Sequence, residues 1–250
     1  MHRHTLLLVL ALPVVLSGCA APLHSTTDNK PASYHYQMGL AYLEERNYTA
    51  ALQELLEIEK SNPNDAELQY HLGVAFLGKR RPDLAVPKFL KAISLKPNYS
   101  VAHNDLGLAY LDLKRWDNAI QQFKLVRDDL LYEQHDYAVI NLALAYLGKG
   151  DYPKALEGLD DVRTNDPRNP IVRVAIGRVL AAQGKTAQAI AEYRKALELD
   201  PNYASAQYYL GLSLMKVDLV AARNAFKEVT RLAPDTELSQ SAQEYLELLK

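Results

Sequence analysis

The sequence predicts a repeat solenoid rather than a single globular core, and three observations predict it. The first is a spaced pattern that recurs six times in 250 residues. In its first copy the pattern reads Gly39, Tyr42, Ala51, Leu55, Pro63, and in its second Gly73, Phe76, Ala85, Phe89, Pro97, each position 34 residues on. A fixed period between about 20 and 50 residues marks a stack of identical supersecondary units. The second observation is the punctuation. Pro63, Pro97, Pro167, Pro201 and Pro234 close successive units, with turn formers in Asn62-Pro63-Asn64 and Asp200-Pro201-Asn202. Proline cannot continue a helix, so each marks an end. The third is the tail, residues 237–250, where Leu238, Ala242, Tyr245, Leu246 and Leu249 fall on one helical stripe. Such a stripe after a repeat array reads as its capping helix.

The remaining copies justify the count. The third is Leu106-Gly107, Tyr110, Ala119, Phe123, and the fourth Leu142-Ala143, Tyr146, Ala155, Leu159, Pro167. The fifth is Ile176-Gly177, Leu180, Ala189, Tyr193, Pro201, and the sixth Leu210-Gly211, Leu214, Ala222, Phe226, Pro234. Glycine inside a helix costs about 1 kcal/mol against alanine. Gly39, Gly73, Gly107, Gly177 and Gly211 therefore predict a neighbouring element too close for a side chain. Ala51, Ala85, Ala119, Ala155, Ala189 and Ala222 carry the same implication for the second segment of each unit. Two copies depart from the pattern. The third has Leu131 in place of its proline and runs two residues long between Arg127 and Asp136, which predicts a bend there. The run Asp128-Asp129-Leu130-Leu131-Tyr132 at that junction is either a functional acidic and apolar element or a neutral insertion. The sixth copy is one residue short between Leu214 and Ala222.

The Leu-Gly-x-x-Tyr, Ala, Phe and Pro positions at this period resemble the tetratricopeptide repeat, a helix–turn–helix unit. The resemblance implies an all-α, right-handed superhelical solenoid. Its units span 32–65, 66–99, 100–135, 136–169, 170–203 and 204–236, with the capping helix at 237–250.

The N-terminus reads as an address. Residues 1–18 hold Arg3 and then an apolar run from Leu6 to Leu16, broken only by Pro13. A bilayer span needs roughly 20 apolar residues, so this is the layout of a secretory signal peptide. It ends Leu16-Ser17-Gly18-Cys19, and Cys19 is the single cysteine of the chain. That ending resembles the bacterial lipobox, which implies lipid on Cys19. The alternative is an ordinary signal peptide with a chance cysteine. Two or three acyl chains give stable anchoring, whereas one binds marginally. Ala20, not Asp, follows the cysteine, and in such lipoproteins this implies the periplasmic face of the outer membrane. Residues 19–31 form the lipidated end and a short tether.

The totals exclude several classes of function. A formal charge of −2 gives no basic footprint for nucleic acid. Gly184-Lys185-Thr186 lacks the glycine of a phosphate loop, because Val179 stands there. Ser213 sits in Gly211-Leu212-Ser213-Leu214-Met215, which is no nucleophile elbow. His35, His71, His103 and His135 come one per repeat without the spacing of a metal site. No enzyme activity and no cofactor beyond the lipid at Cys19 are expected.

In proteins with this repeat, the first helix of each pair lines the concave face. That resemblance implies a partner-binding groove of Tyr36, Leu40 and Leu43, then Tyr70, Val74 and Leu77, then Asn104, Leu108 and Leu111. It continues with Tyr137, Ile140, Asn141, Leu144 and Leu147, then Val174 and Arg178, then Tyr208, Leu212 and Met215. Such a stripe suits an amphipathic or extended protein segment, and Asn104 and Asn141 are placed to bond its backbone. Packing of these positions on one another is the competing reading. The basic clamp that some of these repeats use for C-terminal carboxylates is absent, since Tyr36, Leu40, His71 and Asp105 occupy its positions. Lipobox, six repeats and cap, with the run from Leu131-Tyr132 through Asn141-Leu142-Ala143 to Lys149-Gly150-Asp151, resemble the type IV pilus pilotins. That resemblance implies a scaffold that helps an outer-membrane secretin assemble. The alternatives are an adaptor for cell-wall hydrolases or synthases, or a part of another secretion, adhesion or polysaccharide-export system.

Overall fold

The computed structural model describes residues 32–129 and 131–249. The signal peptide, Cys19 and the tether therefore lie outside the described residues. Among those described, thirteen α-helices follow one another and no strand occurs.

The first twelve form six hairpins. They are α1 Ala32–Glu44 with α2 Tyr48–Glu59, α3 Ala66–Gly78 with α4 Pro82–Leu95, and α5 Ser100–Asp112 with α6 Trp116–Arg127. Then come α7 His135–Lys149 with α8 Tyr152–Asn165, α9 Pro170–Ala182 with α10 Thr186–Leu199, and α11 Ala204–Leu214 with α12 Leu219–Leu232. The last helix is α13, Glu237–Leu248. The chain is an all-α tetratricopeptide solenoid.

Local chemistry places the boundaries. Pro97, Pro167, Pro201 and Pro234 each stand two residues beyond the end of α4, α8, α10 and α12. Side-chain oxygens of Asp65, Asn169 and Asp218 each take two free N–H groups at the start of α3, α9 and α12. In five of the six hairpins the tight turn holds one left-handed residue. Arg46, Arg80 and Lys114 supply it at φ 57°, 60° and 56°, and Gly150 and Gly184 supply it in the next two hairpins. The sixth hairpin, one residue shorter, turns at Met215–Asp218 with no such residue.

The repeated glycines are explained by one contact. A Cβ built on Gly73 would lie 2.5 Å from the Phe89 ring, on Gly107 2.5 Å from Phe123, and on Gly177 2.4 Å from Tyr193. The same holds for Gly39 against Leu55 at 2.7 Å and Gly211 against Phe226 at 2.8 Å. The second helix thus drives a large side chain onto the bare backbone of the first. Phe89, Phe123, Phe226 and Tyr193 are wholly or almost wholly buried. Full burial of such a side chain contributes about 1.5–3 kcal/mol. The fourth hairpin has Ala143 instead of glycine, and the smaller Leu159 faces it in the same buried cluster. Tyr48 and Trp116 make the corresponding contact between hairpins, against Gly78 and Gly148 of the next one.

The stretched junction does not interrupt the core. Ile120 and Phe123 of α6 share a cluster with Leu142 and Ala145 of α7. The extra length is taken up in the 128–134 linker. Asp129 is used internally there, accepting from Ser100 Oγ and from the Leu131 backbone N–H at 3.0 Å. His135 Nε2 bonds the Arg127 carbonyl at 3.0 Å. Helix α13 closes the array by stacking Tyr245 on Phe226, with ring centroids 5.0 Å apart, and by burying Ala242.

Gly107→Ala is expected to destabilise the fold by about 1–3 kcal/mol through overpacking. Adding Phe123→Leu, which recreates the pairing of Ala143 with Leu159, is expected to recover part of that loss. Chemical unfolding of the two single variants and the double variant checks it, and purely additive losses would refute the contact as the cause.

Candidate functional site

The inner face follows from which helices touch. Each helix packs on its neighbours in sequence. Beyond that, among the described residues only odd-numbered helices bring their backbones close across repeats, as α1 with α3, α3 with α5, α5 with α7, α7 with α9, α9 with α11 and α11 with α13. The backbones of even-numbered helices make no such approach among the described residues, and Lys88 of α4 reaches Glu59 of α2 only through its long side chain. The odd helices are therefore crowded together and the even ones splayed, so the odd helices lie on the inside of the curve.

Most of the expected groove residues sit on that face half-buried, one side against the core and the other toward solvent. This is the state of Tyr36, Leu40, Leu43, Tyr70, Val74, Leu77, Asn104, Leu108, Leu111, Asn141, Leu144, Leu147, Arg178, Tyr208, Leu212 and Met215. Tyr36 and Leu43 pack on the first buried cluster, and Val74, Leu77, Leu108 and Leu111 on the next. Leu144 and Leu147 pack on the third, and Leu212 and Met215 on the last. Two assignments are corrected. Ile140 is 3% exposed and Val174 5% exposed, so both belong to the core and no partner can touch them. Their helices, α7 and α9, bury more of their surface because they make the most extensive contact of any odd pair. Tyr137, at 51% exposed, stands clear of the core.

A polar ladder crosses the N-terminal half of the face. Tyr36 Oη lies 3.1 Å from His71 Nδ1. One repeat on, Tyr70 donates its hydroxyl to Asp105 Oδ2 at 3.0 Å. Asn104 Nδ2 donates to Asp105 Oδ1 at 3.1 Å, and Asn141 Nδ2 reaches Asn104 Oδ1 at 3.5 Å. Both asparagines thus spend polar atoms within the protein. The pairs Tyr36–His71 and Tyr70–Asp105 are each 35 residues apart, one period plus one. That offset was a sequence signal for the ladder, but only contact between α1, α3 and α5 gives it meaning. In the C-terminal half, the Arg178 guanidinium lies over the Tyr209 ring, 4.8 Å from its centroid.

Burial sets the protonation of these groups. It pushes the Tyr36 hydroxyl up to about 12, helped by the charges of Glu67 and Asp65. It lowers the His71 imidazole, against the opposing effect of the Glu67 backbone and side chain, and so favours the neutral ring. It raises Asp105 above the usual carboxylate range, although the bonds from Tyr70 and Asn104 pull the other way.

The serine and histidines weighed in the sequence have structural partners. Ser213 is buried in α11 and hydrogen-bonds the Tyr193 hydroxyl. His35 pairs with Glu54 at 2.6 Å, and His103 bonds Gln122 at 2.7 Å and the Pro97 carbonyl at 3.0 Å. Among the described residues no group of three or more His, Cys, Asp and Glu could hold a metal. No described helix is long and apolar enough to cross a membrane. A cleft of about 290 Å³ between α7 and α8 reaches the end of α6, and its walls carry both signs of charge, Arg127 and Lys154 with Glu157 and Asp161.

Comparison with known proteins agrees with this geometry. Family profiles described as tetratricopeptide repeat match residues 36–100 and 88–121, and one described as TPR repeat matches 177–218. No curated protein sequence matches the chain. Among solved structures, pilF of Pseudomonas aeruginosa is similar at 21% identity and a TM-score of 0.62, covering 86% of this chain and 97% of that one. PilW, described as a widely conserved type IV pilus biogenesis factor, is similar at 18% identity and 0.67, covering 86% and 99%. A tetratricopeptide repeat protein of Parabacteroides merdae reaches 0.78 at 15% identity, covering 90% and 86%. At such identities the likeness is one of fold.

The state of Asp105 has a measurable consequence. A carboxyl whose folded pKa is raised contributes fully below its unfolded value of about 4. That contribution is lost as pH rises through the folded value. Asp105→Asn is therefore expected to raise the melting temperature at pH 7, with the gain shrinking at pH 3. An unchanged melting temperature at pH 7 would show that the buried charge costs the fold nothing.

Proposed function

We propose that this tetratricopeptide-repeat protein is a protein-binding scaffold, tied to the outer membrane by lipid on Cys19, that assists assembly of a membrane complex in the periplasm. The complex we assign to it first is the secretin of a type IV pilus. One observation carries the binding reading: half-buried apolar and tyrosine side chains continue along the inner face from Tyr36 to Met215. A monomer rarely exposes an apolar stripe of this length unless something binds it. Tetratricopeptide arrays are in general interaction scaffolds without catalysis, and they take protein or peptide segments. The choice of a pilus complex draws on the likeness to PilW, described as a pilus biogenesis factor, and on the lipobox ending at Cys19.

The lipid and the groove do separate work in this reading. Two or more acyl chains would hold the array at the membrane. Residues 20–31 are too few to let it travel far. The groove would then take an amphipathic or extended segment of a secretin subunit. Leu108 and Leu144 lie at homologous positions of α5 and α7, both half-buried, and would meet the same segment.

A deletion strain is the direct test. Without the gene, secretin is expected to remain monomeric and twitching to stop. The wild-type gene restores both. Cys19→Ala is expected to move the protein into the soluble periplasmic fraction. Leu108→Glu with Leu144→Glu is expected to abolish co-purification of secretin while helicity and melting temperature stay near wild type. Tyr137→Glu, at a side chain already half in water, probes the same face with no risk to the core. Normal secretin multimers in the deletion strain would overturn the secretin assignment, and membrane retention of Cys19→Ala would overturn the anchor.

A further inference from the structure

On the inner face the carboxylate of Asp105 has no counter-charge. Asp105 stands on α5 in the middle of the polar ladder. Its two oxygens accept from Tyr70 and Asn104, both neutral donors. Among the described residues no lysine, arginine or histidine forms an ion pair with it. Other half-buried carboxylates are treated differently. Glu59 meets Lys88 and Gln69, and Glu192 meets Arg173 at 3.2 Å and Lys195 at 2.7 Å. Moving a charge out of water without a partner is costly, and folded proteins generally pair such groups.

We propose that Asp105 receives one cationic side chain, lysine or arginine, from the apolar segment that occupies the inner face; this rests on the groove reading above. Three tyrosines from different elements gather around the carboxylate. Tyr70 comes from α3, Tyr99 from the turn before α5, and Tyr132 from the stretched linker before α7. The Tyr70 and Tyr99 rings are 5.2 Å apart. Burial raises all three hydroxyls, and the charge of Asp105 adds to it, for Tyr99 behind the charges of Glu67 and Asp65.

The chemistry of this cluster selects a cation. An ionised carboxylate can accept about four hydrogen bonds, and two are in use. An ammonium or guanidinium would add charge-assisted bonds, roughly twice as strong as neutral ones. Phenol oxygens can accept from the same cation. Tyrosine rings attract it through their faces as well. Tyr99 already does so, with Lys96 Nζ 4.3 Å from its centroid and also 3.9 Å from Glu67. The His71 imidazole packs on Tyr70 at 5.1 Å, and burial favours its neutral form. Val74, Leu77, Leu108 and Leu111 flank the acid on α3 and α5, so the bound segment is apolar with a basic residue embedded in it.

The linker acquires a role in this reading. Tyr132 stands in the junction that runs two residues longer than the period. Asp129, which bonds Ser100 and the backbone of Leu131, holds the linker against α5.

The test uses an acetylated 15-residue amphipathic peptide with leucines at helical spacing and one central lysine. Its control carries norleucine at that position. Titration calorimetry on the wild-type protein is expected to show roughly tenfold tighter binding of the lysine peptide, about 1.4 kcal/mol. Asp105→Asn is expected to erase the preference and leave the norleucine peptide unchanged. Tyr132→Phe, which removes one hydroxyl at a half-buried linker side chain, is expected to reduce it. Equal affinities in the wild-type protein, or a preference that survives Asp105→Asn, would overturn the assignment while leaving the groove intact. If neither peptide binds, the groove reading falls and the cation site falls with it.

Discussion

Five of the six hairpins are held by a large side chain from the second helix pressed onto bare backbone of the first. Phe89 on Gly73, Phe123 on Gly107, Tyr193 on Gly177 and Phe226 on Gly211 repeat one geometry. The contact sets how closely the two helices approach, and in the fourth unit Ala143 with the smaller Leu159 takes its place. Packed cores do not deform continuously, so a fixed approach within units carries into a fixed offset between them. The crowding of odd helices and the splaying of even ones follow from stacking identical wedges. An inner face then exists because the units are alike, before any of its side chains is chosen.

On that face the protein balances stability against availability. A side chain fully sunk in the core holds the fold but meets no partner. One fully exposed meets partners but contributes nothing to the fold. The half-buried tyrosines and leucines from Tyr36 to Met215 occupy the middle. Ile140 and Val174 show the limit: their positions on α7 and α9 are shared with groove residues elsewhere, yet local crowding has drawn them inside. The polar ladder of Tyr36, His71, Tyr70, Asp105, Asn104 and Asn141 serves the same balance by satisfying polar atoms that half-burial would otherwise strand. Asp105 is its exception, because its bonds come from neutral groups and its charge stays unanswered.

Much of the architecture was legible in the chain. The period located the helices, because glycine, alanine and proline occur where close approach or a helix end requires them. It also gave the reason for the fourth unit's departure once Ala143 was seen opposite Leu159. The groove was less legible. A leucine at an inner position reads the same whether it is core or surface, so Ile140 could not be separated from Leu144. The ladder was less legible still. Tyr70 and Asp105 are separated by a whole repeat, and nothing in the sequence near either residue names the other.

The sequence by itself determined the repeating α-hairpin, its register, its six copies and its cap, because these rest on local backbone preferences and on volumes read at fixed spacing. It also determined that Cys19 is the only thiol. Only the tertiary structure decided which inner positions remain open, where Asn104 and Asn141 direct their amides, and that the lengthened linker brings Tyr132 near Asp105. Those depend on distances between helices one repeat apart. Such distances come from the stacking of whole units, and a local pattern does not encode them.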